Sequence, residues 1–315
     1  MTAAVTEKTR PAKFDDPEIT ADGERRARVT LKRLTTLWIN TGTLCNLACA
    51  NCYIESSPKN DRLVYITAEE VGRYLDEMDA WNTGEEIGFT GGEPFMNPYL
   101  PAMIEDSLAR GYRVLVLTNA MRPMMKQSLD LLRLRRAHGD RLKLRISIDH
   151  YSRELHEDER GPRTWDKTIE GMRWLADNGF NVDVAGRTRW GECESELRDG
   201  YRRLFAELGV NVDADDPGRL ILFPEMDPEA EVPEISEGCW SKVGASPDDM
   251  MCASSRMIVK RKGAARPSVI ACTLIPYDPA FELGETLEEA ARTVTLNHPN
   301  CAKFCVLGGG SCSGK

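Results

Sequence analysis

The sequence predicts an α/β fold, and three observations lead to it. Between residues 34 and 224, six short apolar runs alternate with longer amphipathic stretches. Strands that alternate with helices of this length form parallel βαβ units with right-handed crossovers. Polar and cysteine-containing motifs follow several of the apolar runs, and the composition changes beyond residue 224. Six units suit an incomplete barrel or an open doubly wound sheet, and in both the active site lies at the C-terminal ends of the strands.

The strands are predicted from short runs of apolar and β-branched residues. The first run is TTLWINT, and the third, YRVLVLT, is almost continuously apolar. In chain order, the predicted strands cover residues 35–41, 87–90, 112–118, 142–149, 180–188 and 219–223.

The helices are predicted from amphipathic stretches with identifiable ends. Thr67 precedes the first helix and has Glu70 three residues later, which is the pattern of a capping box. Gly111, Gly179 and Gly209 follow three of the other helices, as expected for C-terminal caps. The predicted helices cover residues 67–79, 98–110, 124–137, 164–178 and 194–208.

Composition divides the chain into three predicted parts. Residues 1–33 are polar and aperiodic, and we expect a loosely docked N-terminal arm there. Residues 34–224 hold the alternating strands and helices. Residues 225–315 are rich in proline, acidic residues, glycine and cysteine, which predicts a small cysteine-rich C-terminal domain.

The overall composition limits the partners and the location of the protein. The formal net charge of −9 argues against nonspecific binding to nucleic acid or an anionic membrane, because both require a basic surface. No apolar run approaches the roughly 18 residues that span a bilayer, and the N-terminus lacks the apolar segment of a signal peptide. We therefore expect a cytoplasmic protein without a nucleic-acid or membrane partner.

The ten cysteines are distributed unevenly along the chain. Three lie between Cys45 and Cys52, Cys193 stands alone, and six lie between Cys239 and Cys312. Because the cytoplasm keeps thiols reduced, clusters at both ends of the chain predict metal sites rather than disulfides.

The first cluster, Cys45, Cys49 and Cys52, follows the first predicted strand with the spacing C-x3-C-x2-C. A four-iron cluster normally takes four cysteine ligands, so three thiolates leave one iron open to a ligand, as catalytic zinc sites leave one position open. Structural zinc is the alternative. Zinc sites usually pair two C-x2-C knuckles, however, and no second knuckle or histidine follows nearby.

This C-x3-C-x2-C loop resembles the defining motif of the radical S-adenosylmethionine (SAM) superfamily, and the resemblance extends over residues 34–224. It implies an incomplete (β/α)6 TIM-like barrel, with a SAM-cleaving four-iron, four-sulfur (4Fe-4S) cluster on the three cysteines. Reductive cleavage of SAM would give a 5′-deoxyadenosyl radical. The family often has an aromatic residue before the third cysteine, where this chain has Asn51. Tyr53 follows that cysteine instead and is the candidate for contact with adenine.

Two turns support the resemblance. Gly91, Gly92 and Glu93 follow the second strand and resemble the family's Gly-Gly-Glu motif, which binds the SAM amino group. The glycines permit close backbone approach to a ligand, although an ordinary strand-to-helix turn can have this composition. After the third strand, Asn119 precedes Ala120 in a segment that resembles the family's Thr-Asn-Gly segment. A plain asparagine turn is the alternative there.

Polar residues also follow the fourth and fifth strands. By resemblance, Ser147 and Asp149 would lie near the ribose or the carboxylate of SAM. Arg160 belongs to an Arg-Gly pair of the kind that binds the SAM carboxylate, for which bidentate geometry is suitable. Arg187 is a second candidate for this role. The alternative for Arg160 is a solvated run of charges.

Cys193 lies in the loop after the fifth strand, on the predicted catalytic face. A thiol in that place can donate a hydrogen atom to a substrate radical, which makes Cys193 the candidate catalytic residue. The alternative is a loop cysteine without a role.

The C-terminal part contains a predicted hairpin within residues 257–272, flanked by Cys252 and Cys272, and a triple glycine before Cys312. It resembles the SPASM and twitch appendages of radical SAM enzymes, which carry auxiliary iron–sulfur clusters. The resemblance implies one auxiliary cluster, with Cys301 and Cys305 at a second site or as alternates. A structural zinc site is the alternative. The preferred ligands are Cys239, Cys252, Cys272 and Cys312.

The resemblance implies an enzyme that oxidatively modifies a peptide or protein side chain and receives electrons from a reductant such as flavodoxin or ferredoxin. The auxiliary cluster would accept an electron from the substrate radical or bind the substrate. A radical SAM enzyme that acts on a small molecule, in cofactor or natural-product synthesis, is the nearest alternative. A non-catalytic iron–sulfur electron carrier or redox sensor is the alternative from another class, and the Gly-Gly-Glu turn argues against it.

Overall fold

The structure, a computed structural model, describes residues 12–227 and 230–310. Its strands, in chain order, are β1 (Arg28–Val29), β2 (Thr36–Asn40), β3 (Glu86–Thr90), β4 (Arg113–Thr118), β5 (Leu142–Ser147), β6 (Asn181–Arg187), β7 (Leu220–Phe223), β8 (Ser255–Val259), β9 (Ser268–Ile270), β10 (Glu282–Gly284) and β11 (Val294–Thr295). Its helices are α1 (Ala68–Trp81), α2 (Leu100–Ala109), α3 (Arg122–Lys126), α4 (Ser128–His138), α5 (Arg153–Arg160), α6 (Trp165–Asp177), α7 (Glu194–Leu208) and α8 (Trp240–Val243).

Strands β2 to β7 are parallel and lie side by side in sequence order. A doubly wound sheet requires a point at which the strand order reverses, and these six strands have none. With right-handed crossovers, all the connecting helices then lie on one side of the sheet. The strand order therefore corresponds to the incomplete (β/α)6 barrel rather than to the doubly wound alternative.

The C-terminal hairpin extends the barrel sheet and does not form a sheet of its own. β8 pairs with β2 in parallel, and β9 and β10 follow in antiparallel pairing. The hairpin is the one predicted from residues 257–272, with Met257 opposite Ile270. As a result, the hairpin lies beside the first barrel strand.

Local signals in the sequence account for most helix ends. Thr67 and Glu70 form the predicted capping box of α1, and Gly209 ends α7 with φ of 67°. The helix predicted at residues 124–137 is divided, because Gln127 leaves helical geometry between α3 and α4 (φ −104°, ψ 17°). Helix α5 was not predicted, since its sequence, RELHEDER, contains almost no apolar residues.

The N-terminal residues from 12 onward are docked rather than loose, which corrects the expectation of a loosely attached arm. β1 pairs with β11, and the fully buried Arg26 forms an ion pair of 2.5 Å with Glu234. Val29 packs in a small apolar core with Ile235 from the C-terminal part. The polar composition of this segment does not predict docking because its charges are paired with residues about 200 positions away.

Within the described part of the chain, no helix combines the length and the apolar character needed to cross a membrane.

Candidate active site

The cysteine loop leaves β2 at the C-terminal edge of the sheet. Its backbone is fixed at two points, because Thr41 N–H donates to the carbonyl of Thr90 (2.8 Å) and Cys45 N–H donates to that of Ser57 (3.1 Å). The N–H of Leu47 lies 3.4 Å from the Cys45 sulfur. All three cysteines of the loop line one cavity at the strand ends.

Glu159, which no sequence motif identified, holds the middle of this loop. Its carboxylate accepts hydrogen bonds from the backbone N–H of Asn51 (2.9 Å) and from the Asn51 side chain (2.8 Å), and its carbonyl accepts one from Ala50 (2.8 Å). The residue is buried at the end of α5. Asn51 therefore has a structural partner that an aromatic residue at this position would lack.

The two glycines after β3 pack against the cysteine loop. Gly92 N–H donates to the carbonyl of Gly42 (2.8 Å), and Glu93 N–H donates to that of Leu44 (3.2 Å). A Cβ on Gly92 would lie 2.2 Å from the Leu44 oxygen, and Gly91 has φ of +133°. Both glycines also line the cavity. The sequence predicted that these glycines allow a ligand to approach the backbone closely. In the structure, they allow the cysteine loop to pack closely against the turn after β3.

Gly92→Ala is expected to displace the cysteine loop and to lower the free energy of unfolding by about 1–3 kcal/mol, because the new methyl group overlaps backbone atoms. Urea denaturation of both proteins measures this difference. Gly72→Ala on α1 is the matched control, since its Cβ would meet only Asp106 Oδ2 at 3.7 Å. The control is expected to be neutral or slightly stabilising. Equal losses in the two variants would contradict the close packing at Gly92.

The carboxylate of Glu93 joins the ends of β3 and β4 instead of lining the cavity. It accepts hydrogen bonds from the Thr118 hydroxyl (2.9 Å) and from Asn119 N–H (2.9 Å). Burial raises the pKa of Glu93 to about 7, although these hydrogen bonds lower it. The Asn119 side chain in turn donates to Asn46 in the cysteine loop (2.9 Å). Ala120 has φ of 56°, a conformation that favours glycine, so the turn has the backbone shape of the Thr-Asn-Gly segment that it resembles.

Asp149 is the centre of a charged group in the cavity lining, together with Arg160 and Arg187. It accepts from Arg160 Nε at 2.5 Å, and Arg187 Nε lies 3.3 Å from its other oxygen. Burial alone would raise the pKa of Asp149, but the two guanidinium groups outweigh burial and hold this pKa below its ordinary value. The alternative of a solvated run of charges therefore does not describe Arg160, whose side chain is only 12% exposed and is paired with Asp149.

The cavity has a volume of about 170 Å³ and brings most of the predicted site residues together. Its lining includes polar groups and also apolar side chains, among them Phe223, Leu274 and Phe304. The predicted residues that line it are Cys45, Cys49, Cys52, Tyr53, Gly91, Gly92, Asn119, Ser147, Asp149, Arg160 and Arg187.

Two further lining residues carry polar atoms that sequence reasoning did not identify. Trp38 Nε1 and Ser56 Oγ are buried, and neither has a hydrogen-bond partner among the described residues. Gly88 on β3 leaves room for the indole, because a Cβ there would lie 2.4 Å from the Trp38 ring. Buried polar groups are normally paired, so these two atoms indicate a cavity made for a polar ligand.

Cys193 is not among the residues that line the cavity. It precedes α7 as its N-cap and is exposed, with its sulfur 3.0 Å from the Ser195 hydroxyl. Its backbone N–H donates to Glu196 (2.9 Å). The structure therefore gives Cys193 a capping position and does not place it among the residues that line the cavity.

A second, smaller cavity of about 20 Å³ lies in the C-terminal part and is lined by Cys252, Cys272, Cys301 and Cys305. The first two flank the hairpin, and the last two belong to a six-residue π-helical segment, Cys301–Val306. Burial, together with the nearby thiols of the other three cysteines, raises the pKa of Cys301 well above its ordinary value. Burial also raises the pKa of Cys252 to about 11.

This grouping differs from the preferred auxiliary ligand set. Cys239 does not line the second cavity, and its sulfur lies 3.3 Å from the Ser236 hydroxyl. Cys312 lies outside the described residues. Cys301 and Cys305, expected at a second site or as alternates, instead stand with Cys252 and Cys272. Sequence spacing could not show this grouping, because it depends on how the hairpin packs against the C-terminal segment.

The donor chemistry of both cavities fits iron–sulfur clusters. Burial raises the pKa of Cys45 to about 12 and also raises that of Cys49. Buried thiols of this kind become thiolates when a metal is bound, since the metal's charge compensates for the lost solvation. In residues 12–227 and 230–310, no three His, Cys, Asp or Glu side chains are placed so that they could hold a single metal ion. The cysteines line the two cavities instead.

Comparison with known proteins relates the first site to a family. Residues 39–188 match the radical SAM superfamily. The match covers this region and not the whole chain. The matched region begins on β2 and continues through the whole of β6, so it includes the cysteine loop, the Gly-Gly-Glu turn and Asp149.

Two curated proteins resemble part of this chain. The antilisterial bacteriocin subtilosin biosynthesis protein AlbA of Bacillus subtilis is 30% identical over 193 residues, which cover 59% of this chain and 41% of AlbA. The mycofactocin maturase MftC of Mycolicibacterium smegmatis is 24% identical over 136 residues, which cover 43% of this chain and 33% of MftC. The chain thus spans less than half the length of these relatives.

Among solved structures, Streptococcus suis SuiB bound to SAM resembles this chain with a TM-score of 0.56 and 14% identity, covering 80% of this chain and 63% of SuiB. SuiB has also been solved with its precursor peptide SuiA. At this level of identity the likeness concerns the fold alone. It confirms the predicted fold, a partial TIM barrel.

Proposed function

We propose that this chain is a radical SAM enzyme that oxidatively modifies a peptide or protein side chain. The observation that carries the proposal is the convergence of three cysteines, the Gly-Gly-Glu turn and the Asp149–Arg160 pair on one cavity. The peptide substrate is supported by the relatives, which are named for bacteriocin biosynthesis and for maturation, and by the SuiB complex with a precursor peptide.

The polar residues of the cavity lining would bind SAM. A 4Fe-4S cluster on Cys45, Cys49 and Cys52 would supply the electron for SAM cleavage when reduced. Arg160 and Arg187 place positive charge at the cavity wall, where a carboxylate of SAM would be attracted. Asp149 orients both guanidinium groups and stays ionised between them. Glu93 would act mainly by holding the turns around Asn119 in place.

The apolar residues of the cavity lining would exclude water from the reaction. Phe223, Leu274 and Phe304 lie there, and Phe304 is fully buried. A dry site strengthens electrostatic interactions and prevents reactive intermediates from meeting solvent. This property suits chemistry that passes through a carbon-centred radical.

Reconstituted, reduced protein is expected to convert SAM to 5′-deoxyadenosine, which chromatography of the nucleosides measures. If no reductant produces this nucleoside, the chain is an iron–sulfur carrier or sensor instead. Incubation with short peptides encoded beside the gene then tests the substrate class by mass spectrometry. Loss of hydrogen from a peptide supports peptide modification, whereas activity only on a metabolite would favour the small-molecule alternative.

We further propose that Cys252, Cys272, Cys301 and Cys305 bind the auxiliary cluster. Four cysteine ligands are the usual complement of a 4Fe-4S cluster, and these four line one cavity. Full ligation by the protein would favour electron transfer over direct binding of the substrate. The same four thiols suit structural zinc, so metal analysis has to distinguish the two.

Cys301→Ala is expected to remove most of the auxiliary iron, lowering the total from about eight to about four irons per chain. Cys239→Ala is the matched control and is expected to leave the iron content unchanged, because Cys239 does not line the second cavity. Iron and sulfide analysis of anaerobically reconstituted proteins measures both. The opposite result, with iron lost only in Cys239→Ala, would restore the ligand set first expected from the sequence.

A further inference from the structure

The two cysteine cavities share a wall. Leu274, two residues after Cys272, lines both cavities. Phe304 lines the SAM cavity, whereas Cys301 and Cys305, which lie on the same π-helical segment, line the auxiliary cavity. The segment that offers two auxiliary thiols is therefore also part of the wall around the SAM cavity.

Phe304 connects this wall to the first cysteine loop. Its buried ring packs against Phe223 (5.5 Å between centroids) and meets Tyr53 edge-on (6.3 Å, 79°). Tyr53 directly follows Cys52. The contact between Tyr53 and Phe304 thus joins the residue that follows Cys52 to the residue that precedes Cys305.

Tyr53 is held on its other sides as well. Its hydroxyl donates to the carbonyl of Pro224 (3.0 Å), and the Arg187 guanidinium lies over its ring at 4.4 Å. A shift of Tyr53 would therefore also disturb Arg187, which contacts Asp149. The contacts of Phe304 extend in this way to the charged wall of the SAM cavity.

The triple glycine packs around Phe304. The N–H of Gly310 donates to the Phe304 carbonyl (2.8 Å). A Cβ on Gly310 would lie 2.7 Å from the Phe304 ring, and one on Gly308 would lie 2.3 Å from the Lys303 oxygen. These two glycines are thus explained by close packing on the π-helical segment.

The π-helical segment has six residues, and this helix type is rare and mostly confined to single turns near functional sites. So short a helix gains little stability from its own hydrogen bonds. Ligation of Cys301 and Cys305 would fix the segment at two points on either side of Phe304. Emptying the auxiliary site would release both points while leaving the barrel intact.

We propose that Phe304 is a positioning residue that couples the auxiliary site to the SAM cavity. When the auxiliary site is filled, the segment is fixed and Phe304 holds Tyr53 and the cavity wall in the arrangement that binds SAM. When that site is empty, SAM binds more weakly although the first cluster is still present. The inference rests on the proposed function and adds a dependence between its two sites.

The test compares SAM binding in two variants, one changed at Phe304 and the other at the auxiliary site. Phe304→Ala removes the connecting ring, and the double variant Cys252→Ala/Cys272→Ala empties the auxiliary site while keeping Cys301–Val306 unchanged. Both are expected to raise the dissociation constant of SAM about tenfold, as expected for the loss of one or two aromatic contacts. Equilibrium dialysis measures the constant, and iron analysis verifies that the first cluster remains.

An electron paramagnetic resonance spectrum of the reduced first cluster provides a readout that general destabilisation would not change. The spectral change caused by SAM is expected to be weakened in both variants. Phe304→Leu, which keeps an apolar side chain, is expected to restore binding to within about threefold of wild type. Phe205→Ala removes a buried phenylalanine that lines neither cavity and is expected to leave SAM binding unchanged.

Two results would overturn this inference without affecting the proposed function. One is wild-type affinity for SAM in the double cysteine variant after its auxiliary iron is lost, and the other is an equal loss of affinity in Phe205→Ala. If the wild-type protein itself fails to bind SAM, the proposed function fails and the inference fails with it. Because wild type is measured first, the two failures are distinguishable.

Discussion

Replacing Cys45, Cys49 and Cys52 together with alanine is expected to abolish 5′-deoxyadenosine formation while leaving about four irons per chain. These three thiols line one cavity, and a separate cavity is lined by Cys252, Cys272, Cys301 and Cys305. The variant would therefore lose the SAM-cleaving cluster and keep the auxiliary cluster. Iron and sulfide analysis, with chromatography of the nucleoside product, measures both parts of this expectation.

Cys193→Ala is the control for the triple variant, because Cys193 is exposed and lies outside both cavities. It is expected to retain full iron content and SAM cleavage. If the triple variant contains zinc and no iron, the C-terminal site is structural and the protein has a single cluster. SAM cleavage by the triple variant would contradict the assignment of the first site.

Asp149→Ala is expected to lower the free energy of unfolding by about 3–5 kcal/mol, since it leaves buried guanidinium groups without their partner. The side chains of Asp149 and Arg160 are only 5% and 12% exposed. Arg187 also loses its contact at 3.3 Å. Urea denaturation of the metal-free protein measures the change, and weaker SAM binding by the reconstituted variant is expected alongside it.

Asp166→Ala is the matched control for this ion pair. Asp166 also lies 2.5 Å from an arginine, Arg153, but the two side chains are 71% and 47% exposed. Solvent and salt screen such a pair, so its loss is expected to have a much smaller effect. If Asp149→Ala and Asp166→Ala unfold at the same urea concentration, burial does not determine how much the ion pair of Asp149 contributes to the free energy of unfolding.

The sequence predicted the site best where the functional residues are local. Cys45, Cys49 and Cys52 occupy one short loop, and the Gly-Gly-Glu turn directly follows a strand. Spacing and strand ends are visible in a single sequence, and parallel strands bring such loops to one edge. The structure accordingly brings these motifs together at one cavity.

Sequence reasoning failed where a residue depends on a distant partner. Glu159 and Arg160 belong to a run of charges that looks solvated, but Glu159 binds the cysteine loop about 108 residues away. The cysteines at 301 and 305 join those at 252 and 272 only because the hairpin and the π-helical segment meet at one cavity. Pairing across such distances leaves no pattern in composition or spacing.

By itself, the sequence determined the alternation of strands and helices, the capped start of α1 and the three-cysteine loop, since these depend on short-range periodicity and local turn chemistry. The tertiary structure alone decided which cysteines face the second cavity, that Glu159 and most of the Arg160 side chain are buried at the end of α5, and that the N-terminal segment is docked. These features depend on long-range packing and on pairing of buried charges, whose free energy is determined by the folded environment.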